Sequence, residues 1–262
     1  EQLRITVQLI DVASQRHLWS QDYNTELKDV FKMQSDVAER VAAALKVTLL
    51  GSAMQQLKKA PTASMEAFKL YQTGRYWWNK RTKVGIDKAT EAFRQALDKD
   101  PNYAEAQAGL ASCYSVNYAG LPSNIAQPRA RKAAERALEL DPNLGEAHAV
   151  LAGVKFTLLD WSGAEKEYRR AIQLSPNYAT AHQWFGEQLL ALGRLDESLA
   201  ELQRAGELDP LSLIIKANHA WVLSYKGQNE QAIQVCQNGL ELDRDFAMLH
   251  RRLGEIFLRQ RR

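Results

Sequence analysis

Residues 164–176 read AEKEYRRAIQLSP, and the same frame returns at 89–101 as ATEAFRQALDKDP, at 130–142 as ARKAAERALELDP and at 198–210 as SLAELQRAGELDP. Each copy ends on a proline, and these prolines, Pro101, Pro142, Pro176 and Pro210, lie 41, 34 and 34 residues apart. Five residues before each stands Ala96, Ala137, Ala171 or Ala205; eight before stands Phe93, Ala134, Tyr168 or Leu202; twelve before stands Ala89, Ala130, Ala164 or Ser198. A further copy ends on Asp243-Arg244 without the proline and keeps Ala232 in the matching place. Small residues at fixed points let two helices close on each other, and the large apolar residue between them fills the space towards the next pair. The proline lacks an N–H and disfavours helix in the residue before it, so it stops the second helix. A unit of this length leaves one apolar face uncovered and is stable only when stacked on its neighbours.

The frame resembles the tetratricopeptide repeat, whose pattern runs W-x2-L-G-x2-Y, then A-x3-F-x2-A, then P. Ala89/Phe93/Ala96/Pro101 and Ala164/Tyr168/Ala171/Pro176 carry its second half. Leu110-Ala111-x2-Tyr114, Leu151-Ala152, Phe185-Gly186 and Leu253-Gly254 carry the first. The opening tryptophan is replaced by Gln107, His148, His182, Lys216 and His250. The resemblance implies a mainly α fold over residues 65–262, a right-handed α-solenoid of helical hairpins with about five repeats and the first helix of a sixth. Two repeats are longer than the pattern. Gly74 and Ala89 are 15 residues apart, which predicts a longer turn at NKRTKVG, and the stretch from Leu121-Pro122 to Pro128 reads as an inserted loop.

The first residues follow a different rule. Leu3, Ile5, Val7 and Leu9 alternate with polar residues, and Trp19, Gln21 and Tyr23 oppose Leu18, which predicts two strands around a turn at 13–16. Val30, Val37, Val41, Ala44 and Leu45 are spaced for a helix from about Asp29 to Leu50. Residues 1–53 resemble the end of a TolB-N/FlgO-like α/β domain, here a β-hairpin plus helix, with 54–64 as the junction. In bacterial signalling proteins such a domain often precedes tetratricopeptide repeats, and the resemblance implies an upstream winged helix, nucleotide cyclase or kinase. The chain opens in mid-pattern without an initiator Met and ends inside the array, which predicts a piece of a longer protein.

Composition narrows the function. The 262 residues carry 34 Lys+Arg against 31 Asp+Glu, dispersed along the chain, so no basic face for nucleic acid is expected. Val41 to Leu50, the most apolar run, is short and broken by Lys46, so no membrane segment is expected in this stretch. Cys113 and Cys236 lack metal or redox spacing and read as buried small hydrophobes. No nucleotide loop, nucleophile elbow or HExxH is present, and Glu139/Asp141 and Glu207/Asp209 read as a solvated face. His148, His182 and, two repeats later, His250 share one repeat position; in adjacent repeats that position lies two packed helices apart, at about 16–20 Å, too far to share a metal held at about 2.1 Å. They read as packing residues in place of the family tryptophan. No cofactor, no metal and no catalysis are expected.

What remains is binding. The resemblance implies that the first helix of each hairpin lines a concave groove. By register the inward residues are Tyr71, Arg75, Trp78 and Asn79, then Ser112, then Gln183, Trp184 and Glu187, then Asn218, Trp221 and Tyr225, then Arg251 and Arg252. Aromatic, amide and charged groups together suit a protein or peptide partner. The cluster Tyr71, Tyr76, Trp77 and Trp78 reads either as core or as a binding surface, and Lys80, Arg81 and Lys83 as a solvated loop. Arg259, Arg261 and Arg262 read as an exposed face. The reading is a non-catalytic scaffold; the alternative is the regulatory half of a transcription regulator, cyclase or kinase. A cytoplasmic location is expected, or periplasmic if a membrane span precedes.

Overall fold

The computed structural model describes residues 2–11, 14–26, 29–45, 60–116 and 120–260. They divide into two compact units, residues 1–69 and 70–262. In the first, β1 (Gln2–Asp11) and β2 (Arg16–Glu26) pair antiparallel, with Ile5 opposite Tyr23, Val7 opposite Gln21 and Leu9 opposite Trp19. The alternation places these residues on the half-buried face, and Arg4, Thr6 and Gln8 on the exposed one. At the turn the Asp11 carboxylate accepts from the Ser14 backbone N–H and hydroxyl. Helix α1 (Val30–Ala44) packs against β2. Tyr23 Oη donates to Asp36 Oδ2 at 2.7 Å, and Arg40 Nε donates to the same oxygen at 2.8 Å, tying helix to strand. Residues 46–50, which the helical spacing would add, lie outside the described residues, as do residues 54–59 of the expected junction.

From residue 65 onward the chain is helical. The hairpins are α2 (Met65–Asn79) with α3 (Lys83–Lys99), α4 (Ala104–Val116) with α5 (Ser123–Leu140), α6 (Gly145–Thr157) with α7 (Trp161–Leu174), α8 (Ala179–Ala191) with α9 (Leu195–Leu208), and α10 (Leu213–Tyr225) with α11 (Asn229–Leu242); α12 (Ala247–Gln260) follows. First helices stack on first helices, α4 on α6, α6 on α8, α8 on α10 and α10 on α12, so consecutive hairpins lie side by side. The repeated small positions form the seam: Ala89, Ala130, Ala164, Ser198 and Ala232 are fully buried, as are Ala96, Ala137, Ala171 and Ala205. The large positions between them, Phe93, Tyr168 and Leu202, are buried too, with Cys236 in the fifth copy. A Cβ on Gly74 or Gly109 would lie 2.5 Å or 2.6 Å from the Phe93 ring, so glycine on both flanking helices is what admits that ring.

Three of the second helices end in one way. Asp100, Asp141 and Asp243 accept at 3.0 Å from the backbone N–H two residues on, and their carbonyls accept from the residue three on. The aspartate that closes the helix is therefore a turn-forming group, a more specific role than the solvated face read from its position.

Both insertions correct the sequence reading. The first repeat keeps a three-residue turn, 80–82, as do others at 158–160, 192–194 and 226–228; its extra residues lengthen the start of α3. In the second repeat, 123–128 is the start of α5, with Pro122 at its N-cap and Pro128 inside it. Proline and serine at a helix start imitate a loop in sequence, because the first turn needs no internal N–H donors.

Candidate functional site

The inner face is built from the first helices. On α8, Gln183, Trp184, Glu187 and Gln188 fall at helical spacing on one side, and all but Glu187 are more than nine-tenths buried. Glu187 Oε1 accepts from Gln183 Nε2 at 2.9 Å and from Asn218 Nδ2 on α10. Burial pushes the Glu187 carboxyl above its ordinary range, against the opposing pull of the Gln183 and Asn218 bonds and of the Arg81 and Arg252 charges. Arg252, on α12, is 3% exposed; its guanidinium lies 3.7 Å from the Trp221 ring centroid and reaches Glu255 at 2.7 Å. Burial holds its pKa below the ordinary value despite Glu255.

These groups surround a cavity of about 500 Å³. Gln183, Trp184, Glu187, Asn218, Trp221, Arg251 and Arg252 of the expected groove line it together. Asn79 lines an adjoining cavity of about 380 Å³, which shares Arg81 and Gln183 with the first. Tyr225 is 48% exposed, in edge contact with Trp221.

The remaining expected residues are already engaged. Trp78 is 1% exposed, its ring edge-on to Trp184 at 6.3 Å, so no partner reaches it: it is core. Tyr71 packs between Phe93 and Tyr103, and burial raises its hydroxyl pKa. Arg75 Nη1 donates to both Glu146 carboxylate oxygens at 2.9 and 3.0 Å, and fully buried Ser112 donates to the same group at 3.0 Å. That set is an internal tie between the first, second and third hairpins.

Arg81, expected in a solvated loop, lines both cavities. Its guanidinium stacks 4.1 Å from the Trp78 centroid, and its Nη2 donates to Thr180 Oγ1 at 3.4 Å. The signal for this in sequence is its place three residues after Trp78, at the mouth of a short turn. Gln188 and Ile214, which register alone does not single out, also line the cavity. Arg259 is likewise engaged, stacked 3.8 Å from the Tyr225 centroid; residues 261 and 262 lie outside the described residues.

The repeat-position histidines make polar ties as well as packing. His148 Nδ1 meets Glu167 at 2.7 Å and Nε2 meets the Pro142 carbonyl at 3.2 Å; His182 repeats this with Glu201 and Pro176 at 2.6 and 3.1 Å. Each ring joins the two helices of its hairpin to the connection before them. Cys113 and Cys236 are free and buried, and burial pushes their thiols up to about 12 and about 11.

Residues 151–212 match the family model described as tetratricopeptide repeat. A protein named Putative adenylate cyclase 3, of Rhizobium meliloti (strain 1021), is 28% identical over 108 residues, which are 41% of this chain and 18% of that protein. The chain thus spans less than a fifth of that relative's length. Among solved structures, a thermophilic tetratricopeptide protein of Thermus thermophilus is 20% identical with a TM-score of 0.59, covering 73% of this chain and 99% of that one. PilF of Pseudomonas aeruginosa is 22% identical with a TM-score of 0.50, covering 60% and 71%. With its buried small-residue seam and its first helices stacked in order, the helical part of this chain has the hairpin-stack fold of tetratricopeptide-repeat proteins.

Proposed function

We propose that the chain is a non-catalytic interaction module that captures a peptide segment of a partner protein along the first helices of its repeats. The observation that supports this most is the cavity on α8, α10 and α12, where two indoles, buried amides and guanidinium groups come to one surface. Concave sites of this size, with a few placed polar groups among aromatic walls, suit ligand capture. Tetratricopeptide arrays typically serve protein–protein interaction, and the fold supports that reading here.

A photo-crosslinking side chain at Tyr225 should label a partner in extracts of the native host, and one at Lys166, on the exposed side of α7, should not. Trp221→Ala should abolish the Tyr225 adduct with circular dichroism unchanged. Labelling at Lys166 with none at Tyr225 refutes the groove as the binding surface. Trp221 is preferred over Trp184 for this test, because Trp184 is 9% exposed and its truncation would also disturb packing.

A second reading is favoured by the match to the cyclase relative: the array is a regulatory part of a longer signalling protein. Residues 1–53 as the end of a TolB-N/FlgO-like domain would fit that setting, and their hairpin and helix support it. Deleting 70–262 from the natural parent should change its nucleotide-cyclase output; an unchanged output refutes this reading.

A further inference from the structure

Four buried polar atoms without a hydrogen-bond partner among the described residues belong to side chains that line the one cavity: Oε1 of Gln127, Gln183 and Gln188, and Nε of Arg252. Two of these amides have a defined orientation. Gln183 Nε2 donates to Glu187 and Gln188 Nε2 to the Trp161 carbonyl, so each nitrogen faces an acceptor and each oxygen is the end left over. Buried polar groups are normally paired, and a cluster of unpaired ones at a cavity marks where a ligand's own groups fit.

The charges of the wall have one excess sign. Among the described lining residues, Arg81, Arg251 and Arg252 face a single carboxylate, Glu187. That carboxylate is already bonded by Gln183 and Asn218. Glu255 pairs with both Arg251, at 3.5 Å, and Arg252, at 2.7 Å, so among the described residues the three guanidinium groups face two carboxylates, Glu255 and Glu187. Arg252 and Arg81 are stacked on Trp221 and Trp78, so their positions are set before a ligand arrives.

Resting on the reading that this groove takes a peptide, we propose that its occupant is an extended acidic segment. Its backbone N–H groups meet the carbonyl oxygens of Gln127, Gln183 and Gln188, and an Asp or Glu side chain meets Arg251 and Arg252. The carboxylate supplies the missing counter-charge, and the backbone supplies donors that a small anion lacks. Trp184, Trp221 and Ile214 form the apolar wall for the intervening side chains.

The test is an unbiased random dodecapeptide library panned on the whole chain, with selected peptides measured by fluorescence anisotropy. The expected result is enrichment of sequences carrying clustered Asp or Glu. Their affinity should fall at least tenfold with Arg251→Gln, further with Arg252→Gln added, and with rising salt. Arg251 is exposed, so its substitution keeps the test valid if the buried Arg252 variant fails to fold. Selected peptides that are neutral or basic, and that still lose binding with Trp221→Ala, overturn the acidic occupant and leave the groove reading standing. Peptides indifferent to Trp221→Ala, or no enrichment at all, overturn both.

Discussion

Leu159 occupies the middle of the turn between α6 and α7 at φ +64°, and 73% of its surface is exposed. The same place in the next two repeats is Gly193 at φ +75° and Gly227 at φ +77°. A side chain in this left-handed region costs about 1–2 kcal/mol against glycine, and little buried apolar surface offsets it here. Leu159→Gly should therefore raise the melting temperature by about 2–4 °C, read by calorimetry. Arg81 shares the conformation at φ +51°, but its guanidinium is held by Trp78 and Thr180, so glycine there removes contacts that Leu159 lacks. His219 is the second residue at odds with its place. It stands where other repeats have Leu110, Leu151, Phe185 and Leu253, and its buried Nε2 finds no partner among the described residues. Burial, with Lys216 adding to it, lowers its pKa below 6.5. The unfolded chain then binds more protons than the folded one, so stability present above pH 6.5 is lost as the pH falls through the folded value. His219→Leu should add about 1–2 kcal/mol at neutral pH and flatten that acid-side slope in urea titrations from about pH 7 to 5. An unchanged slope would show that another group titrates there.

Among the elements, α5 is the one whose sequence misleads. Pro128 is its sixth residue, past the first turn, so the ring removes a helical bond to the Asn124 carbonyl. The site is exposed, so that carbonyl is open to solvent. Pro128→Ala should restore the bond and stabilise the array by about 1–2 kcal/mol, partly offset by the freedom alanine returns to the unfolded chain. A fall in melting temperature would mean that the ring itself packs. The rest of the hairpin pattern is legible because each of its positions answers to a neighbour in the stack: Ala164 and Ala171 are small because α6 lies against them, and Tyr168 is large because Phe185 stacks on it at 5.5 Å. Helix ends are less legible. Extra residues in the first two repeats extend the starts of α3 and α5, and composition alone does not separate a polar helix start from a loop.

At the scale of the whole array, the contacts that sequence does not show are those that skip repeats. Arg75 meets Glu146 two hairpins on, and Trp78 and Arg81 meet Trp184 and Thr180 three hairpins on. A one-dimensional array predicts contacts between neighbours only, and no spacing rule pairs residue 75 with residue 146. This is also why register alone makes Trp78 a groove residue: its inward direction follows from the repeat, but its cover comes from a distant one. The same ties alter how the array should come apart. Arrays with neighbour contacts alone fray from their ends, whereas a first hairpin tied to the third opens only when that tie breaks. Glu146 is 10% exposed at its side chain and Arg75 26%, so removing the guanidinium leaves a carboxylate with Ser112 as its remaining bonded partner among the described residues, at a cost of about 2–3 kcal/mol. Arg75→Met should accordingly speed amide hydrogen exchange in α2 and α3 by about tenfold or more and leave α8 to α11 unchanged. Arg75→Met with Glu146→Leu should recover part of the protection, because the stranded charge is gone. Equal acceleration through all helices would mean that the array unfolds as one unit whether or not the first hairpin is tied.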